Sequence, residues 1–310
     1  VRTRRQQPTL SDRIEFGALR AVAWLFARLG VDRASAFSGW CWRRIGPLTR
    51  RQRRVDFQLR LIFPDADAAR IAAIGREMWT NLGRVFAESL LLDAIAADPD
   101  RIDLSGVAEI AAFGAAGQPL AFGVPHMGNW EVAAMSACRT GQTVAGVYKR
   151  LSNPLVEHWL FQRRLTYFQA GLIDATDKRT AIAALLRVLK GGSSIAMMVD
   201  LYDDGGQRLD FIGHPARCVD FPAMAARMMA MPLFAVRIVR TEGVRFRVEA
   251  ERIAVPVSGD KAADIAAANA ALHGAIARWI AADPGQWFWI HLKWEESRQA
   301  LRRRPPEPKV

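Results

Sequence analysis

His126 and Glu131, in the run Pro125-His126-Met127-Gly128-Asn129-Trp130-Glu131, are side chains whose types and spacing suit proton transfer. An imidazole titrates near neutrality, so it can take the proton of a hydroxyl while that hydroxyl attacks an activated acyl group such as a thioester. A carboxylate on the other ring nitrogen fixes the tautomer and stabilises the imidazolium that forms. With a glycine between them, Glu131 is expected to fold back and hold one nitrogen of His126. Such an attack requires no nucleophile from the protein. Taken alone, a histidine beside a capping glutamate is more often structural than catalytic.

The elements that must position this pair are legible on either side of it. The apolar run 120–124 precedes His126 and a helical run over 132–138 follows Glu131, which puts the pair at a strand-to-helix corner. Asn129 reads as the helix N-cap, and Glu131 as a first-turn carboxylate favoured by the helix dipole. Gly128 is expected to leave room for a close-approaching ligand. The spacing predicts buried strands at 119–124, 143–148, 194–199 and 233–239, with helical patterns between most of them. This alternation implies an α/β sheet covered by helices, whose chemistry gathers where strands end.

Asp200 follows one of these strands on what should be the same sheet edge, where it could orient the site, although Asp203 and Asp204 make the whole loop acidic. Residues 68–97 have helical spacing, with Ile71, Ile74, Met78, Leu82 and Val85 in a core stripe. His291, between tryptophans in an expected strand, reads as a core or interface residue. His158, His214 and His273 fall in no pattern.

The formal charge of +12 requires an acidic partner: nucleic acid, anionic lipid head groups, or an acidic protein or substrate. No helix-turn-helix, RNA-recognition or zinc signature favours nucleic acid. The three widely spaced cysteines suggest neither disulfides nor a metal site and fit a cytosol-facing location. Residues 14–29 form the most apolar stretch but carry Glu15, Arg20 and Arg28, so they read as a helix lying on a membrane or on the protein, with Asp12 starting the helix. No signal-peptide cleavage pattern is evident. Ten tryptophans suit a membrane interface or, for most of them, a core. Six arginines, Arg43, Arg44, Arg50, Arg51, Arg53 and Arg54, surround Gly46-Pro47. The organisation expected is a basic N-terminus with an amphipathic helix at 1–45, one continuous unit at 46–298, and a basic, Pro-rich tail at 299–310.

His126-x4-Glu131 after an apolar strand resembles the H-x4-D/E signature of glycerolipid-type acyltransferases. A series of further blocks, in order, resembles the lipid A late (lauroyl/myristoyl) acyltransferases: Val147-Tyr148-Lys149-Arg150-Leu151-Ser152-Asn153-Pro154; Gly191-Gly192 with a strand ending at Asp200; Phe211-x-Gly213; Pro222 and Pro232; and the closing Trp287-Phe288-Trp289-Ile290-His291-Leu292-Lys293-Trp294. Ordered blocks are far more specific than any one of them. The family also contains phosphatidylinositol mannoside acyltransferases.

The resemblance implies a glycerol-3-phosphate acyltransferase-like α/β fold, a mixed sheet flanked by helices with an N-terminal membrane-associating helix. It implies His126 and Glu131 as the catalytic pair, with Gly128, Asn129, Lys149, Arg150, Asn153 and Asp200 at the substrate. Lys149 and Arg150 are read either as a phosphate site or as a solvated loop. No cofactor or metal is implied. The donor implied is an acyl carrier protein, or alternatively acyl coenzyme A, and the acceptor a lipid A precursor or another glycolipid. The location implied is the cytoplasmic face of the inner membrane, on anionic lipids. A basic membrane-surface protein without enzymatic activity is the competing expectation, and it leaves the ordered blocks unexplained.

Overall fold

The computed structural model describes residues 7–302. The chain opens with four helices, α1 (Leu10–Leu29), α2 (Val31–Ile45), α3 (Gln52–Ile62) and α4 (Ala68–Ser89), and the short α5 (Leu92–Ala96). Alternation then begins: β1 (Ile102–Asp103), α6 (Ala108–Ala115), β2 (Ala121–Val124), α7 (Val132–Arg139), β3 (Val144–Tyr148), α8 (Pro154–Leu165), β4 (Leu172–Asp174), α9 (Lys178–Lys190) and β5 (Ser194–Met198). A hairpin of β6 (Tyr202–Phe211) and β7 (His214–Cys218) follows. Then come α10 (Phe221–Met229), β8 (Leu233–Arg240), β9 (Phe246–Ile253), α11 (Lys261–Ala282) and α12 (Glu295–Arg302).

Seven strands form one sheet in the order β1-β9-β8-β2-β5-β3-β4, parallel throughout except for the antiparallel β8–β9 pair. The four runs expected as buried strands are β2, β3, β5 and β8. Every residue of β2 is buried, as a central strand covered on both faces requires. Its place between β5 and β8 puts the corner after it at the middle of the sheet's C-terminal edge.

At the N-terminus, α1 is capped by Thr9, not Asp12. The Thr9 hydroxyl accepts from the Asp12 amide, and Asp12 accepts from the Thr9 amide in return. Gly30, at φ 78°, turns the chain into α2. Only Phe26 of α1 is buried, while Leu10, Ile14, Trp24 and Leu25 are exposed. Among the described residues no helix is long and apolar enough to cross a membrane.

The helix expected over 68–97 stops at Ser89: the Leu90 and Leu91 amides bond three residues back, to Ala87 (3.2 Å) and Glu88 (2.9 Å), and Leu91 leaves helical geometry at φ −127°, while the Leu90 carbonyl accepts from Arg163 of α8 (2.8 Å). At the other end, α12 carries helix through residue 302, into the segment expected as tail. Residues 303–310 of that tail, and 1–6 of the basic N-terminus, lie outside the described residues.

Candidate active site

The parallel register of β2 with β5 pairs Val124 with Met198. Two residues beyond each, the chains still run side by side, and they bring His126 against Asp200. The Asp200 carboxylate accepts from the His126 backbone N–H (2.8 Å) and meets His126 Nδ1 at 2.8 Å. The Trp287 indole N–H donates to the same carboxylate (2.7 Å). With Asp200 accepting at Nδ1, the hydrogen-bond network assigns the proton to Nδ1 and leaves the Nε2 lone pair pointing away. Among the described residues no hydrogen-bond partner takes Nε2, and the ring is partly exposed.

Burial alone would push the Asp200 carboxyl up. The charge and hydrogen bonds of His126 and the bond from Trp287 outweigh it and hold the group at about 2. Asp200 is therefore an anion at neutral pH, able to stabilise imidazolium as it forms. Trp130 meets the His126 ring edge-on at 5.2 Å and Phe288 lies 6.1 Å away, so the imidazole is walled by aromatic rings.

Glu131 does not fold back to His126. It accepts from Nε of Arg164 on α8 (3.0 Å) and from Arg164 Nη2, a bidentate ion pair, and it is itself nearly buried. The reason is local geometry. Helix α7 begins only at Val132, so Trp130 and Glu131 lie in a turn that aims the carboxylate at α8. Asn129 is correspondingly not the N-cap. Its Oδ1 accepts from the Glu131 amide (3.1 Å), its backbone carbonyl accepts from Val132 (3.1 Å), and Glu131 holds the cap position.

A buried polar network clamps this corner. Asn129 Nδ2 donates to Glu88 (2.7 Å), whose two oxygens also take both Arg240 Nη groups (2.7 and 2.8 Å) and the Ser35 hydroxyl (2.6 Å). Arg240 Nε reaches Asn81, which in turn donates to the Gly128 carbonyl (2.8 Å). The room that Gly128 provides is filled by the protein itself, since a Cβ there would lie 1.9 Å from the Ile238 carbonyl, at φ 59°. Asn129 and Gly128 thus shape the loop.

Asn153 is likewise a tie between elements. Its Oδ1 caps α8 at Leu155 and Val156, and its Nδ2 donates to the Asp12 carbonyl (3.0 Å) and to Glu15 (3.1 Å) of α1. Lys149 and Arg150 are exposed beyond β3, and Arg150 pairs with Asp174 (3.1 Å). His291 lies outside any strand, its ring 5.0 Å from Phe288. Burial, with the charges of His126, Arg51 and Arg54 and against that of Asp200, holds it at about 4. His273 is buried and donates Nε2–H to the Val219 carbonyl (2.9 Å).

Beside the Glu131–Arg164 pair opens a cavity of about 460 Å³. Leu19 of α1, Phe86 of α4, Leu90 just after it and Leu160 of α8 give it apolar walls, and Glu131 and Arg164 belong to its lining. Arg164, Glu88 and Arg240 carried no local pattern in the sequence. Trp287 stood in the tryptophan-rich block.

A family model described as bacterial lipid A biosynthesis acyltransferase matches residues 13–296. Two curated relatives are phosphatidylinositol mannoside acyltransferases of Mycobacterium tuberculosis. One, from strain CDC 1551 / Oshkosh, is 27% identical over 208 residues, 65% of this chain and 63% of that protein. The other, from strain ATCC 25618 / H37Rv, is 27% identical over 232 residues, 71% of each. The chain therefore matches a little under two thirds of the first relative's length.

Proposed function

Because the chain belongs to the bacterial lipid A biosynthesis acyltransferase family, we propose that it moves a fatty acyl chain from a thioester to a hydroxyl of a membrane glycolipid. The observation that carries the reading is the His126–Asp200 pair, with Nδ1 locked to a buried carboxylate and Nε2 turned outward. In this reaction His126 Nε2 takes the acceptor's hydroxyl proton while the oxygen attacks the thioester carbonyl. The tetrahedral intermediate then collapses, the C–S bond breaks, and the imidazolium returns the proton to the departing thiolate. Asp200 supports the imidazolium throughout. Glu131 and Arg164 offer a sugar hydroxyl an acceptor and a donor at the wall of the cavity.

The donor in this reading is an acyl carrier protein, an acidic partner for the arginines between Arg43 and Arg54, and the acceptor a lipid A precursor, as the family description supports. The mycobacterial relatives support a second acceptor reading, a phosphatidylinositol mannoside, and acyl coenzyme A is the alternative donor of that reading. The location is the cytoplasmic face of the inner membrane. Supporting it, Trp24 and Trp40 are exposed with Arg28 and Arg44 stacked over them at 5.1 Å, an apolar and cationic surface suited to anionic lipid.

Mass spectrometry of lipids from a host with and without the gene tests the function. The expected result is one lipid class heavier by one acyl chain, which identifies acceptor and chain together. No change in any lipid, with no transfer by the purified protein, would refute it.

A further inference from the structure

Arg51, Arg54 and Gln58 recur at i, i+3 and i+7 and so share one stripe of the α3 region. The Gln58 amide pins that stripe to the tryptophan-rich segment, donating to the Trp289 carbonyl (2.6 Å) and the His291 carbonyl (2.9 Å) and accepting from the Lys293 amide (2.8 Å). The stripe that carries the two arginines is thus the one tied to the His291 backbone, and their charges act on the His291 ring together with that of His126. Both are exposed, and among the described residues neither has a carboxylate partner. Arg53, on the far side of the helix, does not share the stripe.

Two guanidinium groups without an acidic partner on one exposed stripe attract an anion. His291, held neutral, adds a ring N–H donor to two guanidinium forks, a donor set matched to phosphate oxygens.

We propose that Arg51 and Arg54, with His291, whose ring is separated from His126 by Phe288, form a phosphate-binding subsite next to the catalytic corner. The proposal rests on the acyl-transfer reading, because it makes the ligand a phosphate carried by one of the reactants. Two sources share that chemistry: the phosphate of a coenzyme A or phosphopantetheine thioester, and a phosphate on the glycolipid acceptor.

The test uses the full chain with R51Q/R54Q, folding checked by circular dichroism, and two donors: acyl coenzyme A, and the acyl thioester of N-acetylcysteamine, which carries no phosphate. Loss of two charge-assisted contacts should raise KM for the phosphate-bearing reactant by about tenfold or more, with a smaller effect on kcat. If the donor supplies the phosphate, the penalty on acyl coenzyme A exceeds that on the N-acetylcysteamine thioester by about the same factor. If the acceptor supplies it, acceptor KM rises with either donor.

A direct measurement accompanies the kinetics. Inorganic phosphate should shift the His291 ring resonances of the wild type in NMR, and the double substitution should remove the shift. KM values within about twofold of wild type for both reactants, or a His291 resonance unmoved by phosphate, would overturn the subsite. A wild-type protein that transfers no acyl chain would refute the functional reading instead, and the phosphate titration would still decide the subsite.

Discussion

His126 and Asp200, 74 residues apart in sequence, are joined twice, through the imidazole Nδ1 and through the backbone N–H, each at 2.8 Å. The double contact follows from parallel strand register and fixes both the ring's orientation and the position of the chain that carries it. The Trp287 bond to the same carboxylate closes the arrangement from the C-terminal segment.

His126→Ala should abolish acyl transfer in a folded protein, a loss on the order of 10²–10⁴ in kcat. Asp200→Asn keeps the shape, removes the charge and favours the wrong tautomer, so its loss should be comparable. The double variant should be little worse than either single one, because the two act as a unit. Additive losses in steady-state kinetics would contradict the pairing.

Glu131→Gln should behave differently, because Glu131 is bound to Arg164 and not to His126. The expected effect falls mainly on acceptor KM, with kcat reduced by less than in Asp200→Asn. Arg164→Gln should resemble it. Equal kcat losses in Glu131→Gln and Asp200→Asn would return Glu131 to the catalytic pair.

Glu88→Ala should destabilise the fold by about 3–5 kcal/mol, since it leaves the nearly buried Arg240 guanidinium without its anion. Urea unfolding measures this. The same variant should lose activity, because Asn129 loses its anchor.

Stability should fall on acidification from about pH 6.5 downward. Burial, with the charge of Lys293, holds His273 at about 3 against an ordinary value of 6.5. The unfolded chain therefore binds this proton first, and stability present above 6.5 is lost progressively toward 3. One such histidine contributes up to about 1.4 kcal/mol per pH unit across the window. Asp200, depressed from 3.8 to about 2, acts in the same direction only below 3.8. His273→Gln, which retains a donor for Val219, should flatten the dependence of Tm on pH; an unchanged slope would count against a buried neutral His273.

Trp24→Ala with Trp40→Ala should weaken sedimentation with anionic vesicles, and salt should release part of the wild-type protein by screening the neighbouring arginines. Wild-type protein that stays in the supernatant at low salt would remove the membrane location.

The sequence by itself determined the central strands and the place of His126 at the corner after one of them. Apolar runs of strand length at 119–124, 143–148, 194–199 and 233–239 announced four central strands, because a strand covered on both faces has no polar side to display. The run Pro125–Glu131 announced the loop, since a histidine just past a buried strand is delivered to the sheet edge. What only the tertiary structure decided is which groups meet there. Glu131, five residues from His126, was the near partner in sequence, yet the turn before α7 aims it at Arg164. Asp200 became the true neighbour because strand register, a property of two distant segments, sets side-by-side distance independently of separation along the chain. The same holds for Glu88 with Arg240. Their spacing is created by packing, and no periodicity along one segment can encode it.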